Sequence, residues 1–248
     1  MSKAGAGMLA AAGILAHASP ALTSITPMRT AMLPSLSGIG NAKHVALTFD
    51  DGPDPEYTPD VLARLDEFGV RATFFMLGMM AARNSELARE VVEAGHEIAL
   101  HGYEHRLLLR RGPRATHHDL ERGRRTIEDA TGTAVRWWRP PYGVLTGPSL
   151  ASARRMRLTP VLWTAWGRDW TTTATPQSVL RTVRSGLRPG ATILLHDSDC
   201  TSAAGSSRAM LGALPDLVRR LLDAGYEVGP LREHGIGAAT VNRGVSRT

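Results

Sequence analysis

The sequence predicts an α/β fold of about seven parallel strands, and two observations carry that expectation. From Lys43 onward, short apolar runs alternate with amphipathic segments of helical period, the pattern of strands joined by helical crossovers. The residues with chemical potential also fall, one group after another, just past the ends of those apolar runs. In a barrel these strand ends share one rim, where active sites are built. An open doubly wound sheet would accept the same alternation, but the first strand is not followed by a glycine-rich dinucleotide fingerprint.

The strands are expected at residues 44–49, 71–77, 97–101, 134–138, 158–164, 191–195 and 226–228, each a short apolar run bounded by turn residues. The helices are expected at 58–68, 85–94, 117–130, 149–156, 176–185 and 209–224. Gly69, Gly95 and Gly132 stop the first three, and Pro176 suits the first turn of the fifth. Residues 43–231 therefore read as one catalytic domain and 232–248 as a mobile polar tail. Residues 1–42 form an N-terminal arm and linker. Within it, Lys3, an apolar run over 8–15 and Ala16-His17-Ala18 have the parts of a signal or a membrane-associated segment. That reading would place the protein in the cell envelope or outside the cell; a plain arm would leave it cytoplasmic.

The 248 residues carry a formal net charge of +6. The arginines are spread over several helices instead of forming one stripe, which argues against a nucleic-acid partner. A monomer is expected. Cys200 is the only cysteine, so a disulfide within the chain and a cysteine-rich zinc site are both excluded. Any metal must use histidine and carboxylate.

The organising stretch is Thr48-Phe49-Asp50-Asp51-Gly52-Pro53. Neighbouring side chains on a regular strand point to opposite faces, so two carboxylates that act together belong at a strand end followed by a turn. His101 and His105 bring two imidazoles to another strand end, and with Asp51 they make a donor set suited to zinc, iron or cobalt. Asp50 is then free to act as a base, with Arg139 from a stiff Arg-Pro-Pro-Tyr-Gly loop holding it ionised. His196 is a candidate general acid, and Asp169 would orient it and raise its pKa. Trp163, Trp166 and Trp170 offer flat apolar faces for a sugar-binding groove.

Taken together, these motifs resemble the polysaccharide deacetylase family, the NodB-homology domain of carbohydrate esterase family four. The resemblance spans residues 43–231 and rests on five motifs in order: Thr48 to Asp51, His101 to His105, Arg139 to Tyr142, Asp169-Trp170, and Leu194 to His196. It implies a distorted barrel with fewer than eight strands and a hydrolase removing acetyl groups from amino sugars of an acetylated glycan such as peptidoglycan or chitin. It further implies a divalent metal, zinc above all, held by Asp51, His101 and His105. Asp50 would be the base, Arg139 its brace, His196 the acid and Asp169 its tuner. The Tyr142 backbone N–H would be an oxyanion donor, Trp170 would stand in the groove wall and Leu194 beside the acetyl methyl. Ester deacetylation and a silent glycan-binding role on the same scaffold are the alternatives. Two positions depart from the family pattern. Gly102 stands where Ser or Thr usually follows the first histidine, which predicts a less rigid loop and weaker metal binding, and Trp166 stands where an earlier Asp is usual.

Overall fold

A computed structural model of the chain describes residues 12–236. Its centre is strand β1 (His44–Asp50), buried along its whole length, as a strand covered on both faces must be. On one side of it follow β2 (Thr73–Met76), β3 (Glu97–Leu100), β4 (Trp137–Trp138) and β5 (Thr159–Pro160). On the other lie β7 (Thr192–His196) and then β6 (Ala165–Trp166). Strand β8 (Glu227–Gly229) pairs the first half of β1. Every pairing is parallel.

The distortion of the barrel has a specific origin. The strand expected at 158–164 holds only β5, and β6 begins just past it at the opposite edge of the sheet: β5 pairs β4, and β6 pairs β7. Residues 159–166 thus form a strap from one edge to the other. Val161 N–H donates to the Trp138 carbonyl at 3.0 Å, and Thr164 N–H to that of Thr192 at 3.0 Å. Two edge strands therefore stand where one strand was expected, which is why the described residues hold eight strands where about seven were expected.

Alternation along β1 sets the two sides of the wall. Val45, Leu47 and Phe49 join the large core beneath the outer helices. Ala46 faces inward with Phe75, Ala99, Trp137 and Val161, and the same period of two turns Thr48 and Asp50 toward the interior. Helices that flank the strands among the described residues include α1 (Thr26–Met32), α2 (Thr58–Glu67), α3 (Gly78–Arg83), α4 (Ser85–Glu93), α5 (Pro113–Thr131), α6 (Gly147–Arg155), α7 (Pro176–Gly186) and α8 (Ser207–Asp223). Capping boxes at Thr146/Ser149 and Thr175/Ser178 start α6 and α7 by satisfying free backbone N–H groups. Helix α5 begins four residues earlier than expected because Pro113 occupies its first turn. Helix α3 was not anticipated; its six residues are too few for a helical period to show.

Residues on both flanks of 43–231 contact the barrel. The stretch read as a linker is docked on the strap: the buried Arg29 donates to the Trp163 carbonyl at 2.7 Å, and the Leu36 carbonyl accepts from Leu162 N–H at 2.7 Å. Within the stretch expected to be a tail from residue 232, His234 is fully buried. Its Nε2 faces the Gly38 and Gly190 carbonyls at 3.0 and 3.1 Å, and its Nδ1 faces His44 Nδ1 at 2.8 Å. Carbonyls only accept, so His234 Nε2 carries its proton and His44 donates the shared one. Residues 1–11, with part of the apolar run at 8–15, and residues 237–248 lie outside the described chain. Among the described residues no helix is long and apolar enough to cross a membrane.

Candidate active site

The groups predicted to share one rim do so. Asp50 closes β1, His101 follows β3, Arg139 follows β4, Asp169 lies beyond β6 and His196 closes β7. They surround a cavity of about 220 Å³ lined by Asp50, Asp51, His101, His105, Tyr142, Trp170, Leu194 and His196. Trp163 and Trp166 line it as well, and the three indoles form a row with centroids 5.8 and 5.1 Å apart. Arg139 and Asp169 stand behind the wall, Arg139 touching Asp50 and His101 and Asp169 touching His196.

The two aspartates reach the same space because the backbone leaves the strand geometry between them. Asp51 has φ +81°, a left-handed conformation that costs a non-glycine residue about 1–3 kcal/mol. The turn is held by Asp197, which accepts from Gly52 N–H at 3.2 Å and from Thr58 Oγ1 at 2.6 Å. A Cβ at position 52 would overlap the Asp197 carboxylate, so only glycine permits this approach. Burial pushes the Asp197 carboxyl up to about 7.

Asp50 Oδ1 accepts from Arg139 at 2.6 Å. The same guanidinium donates to Thr48 Oγ1 at 2.9 Å and to the Leu162 carbonyl on the strap at 3.1 Å. Its Cζ lies 4.0 Å from the centroid of the Phe75 ring. Across the cavity, His196 Nδ1 is 3.0 Å from Asp169 Oδ1, while Asp169 Oδ2 accepts the His196 backbone N–H at 2.8 Å. Burial opposes charge on this imidazole, but the facing Asp169 carboxylate outweighs it and raises His196 to about 9.

The remaining three groups fit a cation. His101 Nδ1 lies 2.9 Å from the Arg139 carbonyl; that oxygen only accepts, so Nδ1 carries the proton and Nε2 presents its lone pair. Asp51 Oδ1 is buried without a hydrogen-bond partner, 3.4 Å from His101 Nε2 and 3.8 Å from His105 Nε2. Burial holds His105 down at about 4, in its neutral form. Acceptors thus face acceptors in a buried space, an arrangement that a positive ion between them resolves. One donor atom from each of the three residues lies within 4.8 Å of the others.

Gly102 has φ +109°, and the loop it opens is braced from helix α5. The Asp119 carboxylate accepts from Tyr103 N–H at 3.2 Å and Glu104 N–H at 3.3 Å, and Arg111 pairs with it at 2.6 Å. The rigidity expected from a hydroxyl after His101 therefore comes from Asp119. Sequence reasoning missed Asp119, Thr201 and Arg29. Each is one polar residue in a helix, loop or arm, and no local spacing ties it to the site.

A parallel barrel bearing a braced carboxylate, a carboxylate-paired histidine and a cation cradle on one rim defines a hydrolase. The particular kind follows from comparison with known proteins. The sequence model of the polysaccharide deacetylase family matches residues 37–161. The chitooligosaccharide deacetylase of Bradyrhizobium sp. is 37% identical over 204 residues, covering 78% of this chain and 91% of that protein. Among solved structures, a peptidoglycan N-acetylglucosamine deacetylase superimposes with a TM-score of 0.76 at 27% identity, over 85% of this chain and 97% of the other. A family-four pseudoenzyme from Bacillus anthracis gives 0.70 at 30% identity, over 77% of this chain and 64% of the other. This chain belongs to the polysaccharide deacetylase family, carbohydrate esterase family four, and is a carbohydrate deacetylase.

Proposed function

We propose that the protein removes N-linked acetyl groups from amino sugars of a glycan in a metal-dependent hydrolysis, releasing acetate. The observation that supports this most is the unpartnered Asp51 Oδ1 facing two imidazole nitrogens beside a separately braced Asp50. Asp51, His101 and His105 would hold a divalent ion, zinc above all, with cobalt also suited to the donor set. When bound, that ion supplies Lewis-acid polarisation.

The other steps belong to the chain. Asp50, paired with Arg139, takes a proton from the attacking water. The Tyr142 backbone N–H faces the developing oxyanion, in a residue whose φ of +60° sets it off from a regular turn. His196, protonated at neutral pH through Asp169, gives its proton to the departing nitrogen. Leu194 packs beside the acetyl methyl, and Trp170, 5.4 Å from the His196 ring, forms the adjoining groove wall for a pyranose face. Relatives named for chitooligosaccharide and for peptidoglycan support an amino-sugar polymer as substrate, and a cell-envelope location accords with the second.

The test is acetate release from N-acetylglucosamine oligomers, peptidoglycan fragments and acetylated xylan, with chelator and with zinc or cobalt restored. The expected result is ion-dependent release from at least one amino-sugar substrate. Release from xylan alone would replace this reading with ester deacetylation. No release from any substrate under any ion would support the silent role that a pseudoenzyme neighbour exemplifies.

A further inference from the structure

Thr201 lies in the loop between β7 and α8, outside every motif that marks the site in the sequence. Its hydroxyl donates to Asp51 Oδ2 at 2.5 Å. That bond occupies one carboxylate oxygen and leaves the other, Oδ1, buried and unpartnered in front of His101 and His105.

The carboxylate torsion of an aspartate is broad and roughly two-fold. Without a donor on one oxygen, Asp51 could turn either edge, or both, toward an ion. The Asp51 backbone conformation fixes where the side chain starts; only the Thr201 hydroxyl fixes how it ends. The loop that carries the hydroxyl is itself tied down. Tyr57 donates to Asp199 Oδ2 at 3.0 Å, Ser202 N–H to the Asp199 carbonyl at 2.9 Å, and Cys200 N–H to Ser198 Oγ at 3.1 Å. Ser198 Oγ in turn donates to Asp54 at 2.7 Å. The donor is therefore delivered from a held backbone. The Arg139 carbonyl does the equivalent work for His101 by fixing its tautomer.

We propose that Thr201 is a positioning residue of the cation centre: it presents Asp51 as a one-oxygen ligand and thereby sets the affinity and coordination geometry of the ion. The inference rests on the reading of Asp51, His101 and His105 as the ion's ligands. Partners that orient a ligand in this way are worth about 10–100-fold in metal affinity.

The test uses the full chain, stripped with chelator and titrated with zinc against a chromogenic competitor, and separately with cobalt, whose visible spectrum reports coordination geometry. Thr201→Val keeps the branched shape and removes the donor; Thr201→Ser keeps the donor. The expected result is a zinc affinity about 10–100-fold weaker for Thr201→Val, an altered cobalt spectrum, and wild-type behaviour for Thr201→Ser. Wild-type affinity and spectrum in Thr201→Val would overturn the proposal, as would equal weakening in Thr201→Ser. A wild-type chain that takes up neither ion would overturn the cation site itself and this proposal with it, so the two failures are told apart.

Discussion

Arg139 donates to Asp50 at 2.6 Å from a fully buried position, and every other contact of its guanidinium ties that pair to the barrel wall. It reaches Thr48 on β1 and the Val161 and Leu162 carbonyls on the strap. Asp50 is thus anchored to the segment that closes the barrel, and the strap in turn rests on Arg29 of the N-terminal arm.

Replacing Arg139 therefore costs stability as well as activity. Arg139→Met leaves the Asp50 carboxylate buried without its partner, a loss of about 3–5 kcal/mol. Arg139→Lys recovers only part, because one ammonium cannot serve four acceptors in a plane. Urea unfolding of both variants measures this; wild-type stability in Arg139→Lys would contradict it.

Asp169→Asn should move the titration of His196. With the facing negative charge removed, burial acts against less opposition, and the imidazole falls from about 9 by more than about one unit. Proton NMR of the chelated protein reads this directly. The folded pKa is raised, so the pair's contribution to stability is fully present below about 6.5 and fades as pH climbs through about 9. The gap in unfolding free energy between wild type and variant should narrow over that window. A gap constant from pH 6 to 10 would contradict the pairing.

The opposite sign holds for two buried histidines away from the site. Burial pushes His96 and His234 down to about 4. Neutral His96 accepts from Ala72 N–H through Nδ1 at 3.1 Å, and neutral His234 bridges the arm to the barrel floor. The unfolded chain takes up their protons first, so stability should fall as pH drops from about 6.5 to about 4. His96→Gln should flatten that decline; an unchanged slope would contradict the assignment.

Restoring the residue usual after the first histidine should not help this protein. At Gly102, with φ +109°, a Cβ would sit 3.1 Å from Asp119 Oδ2 and 3.2 Å from the Glu104 carbonyl. Gly102→Ser is expected to cost about 1–3 kcal/mol and to weaken zinc binding by disturbing the loop that Asp119 braces. Tighter zinc binding in Gly102→Ser would contradict this account.

The parts of the site legible in the sequence are those written as a local signal. An apolar run followed at once by Asp50-Asp51-Gly52, or by His196, announces a strand end and its chemistry. What stayed hidden depends on distance. Nothing in residues 158–166 tells that their two ends pair with opposite edges of the sheet. Arg29 is one basic residue in an arm of mostly small and apolar residues until the fold sets it against Trp163. Asp119 lies in a helix crowded with charges, and only the approach of α5 to the histidine loop distinguishes it. Contacts at the domain edges stayed hidden for the same reason: Leu36 and His234 are held by partners more than a hundred residues away.

The division of labour between the two adjacent aspartates is tested most directly by Asp50→Asn, assayed for zinc content and for acetate release on the best amino-sugar substrate. The account predicts one zinc bound per chain, as in the wild type, with turnover reduced by about 10²–10⁴-fold. Turnover near the wild-type rate, or loss of the ion along with the activity, would contradict it.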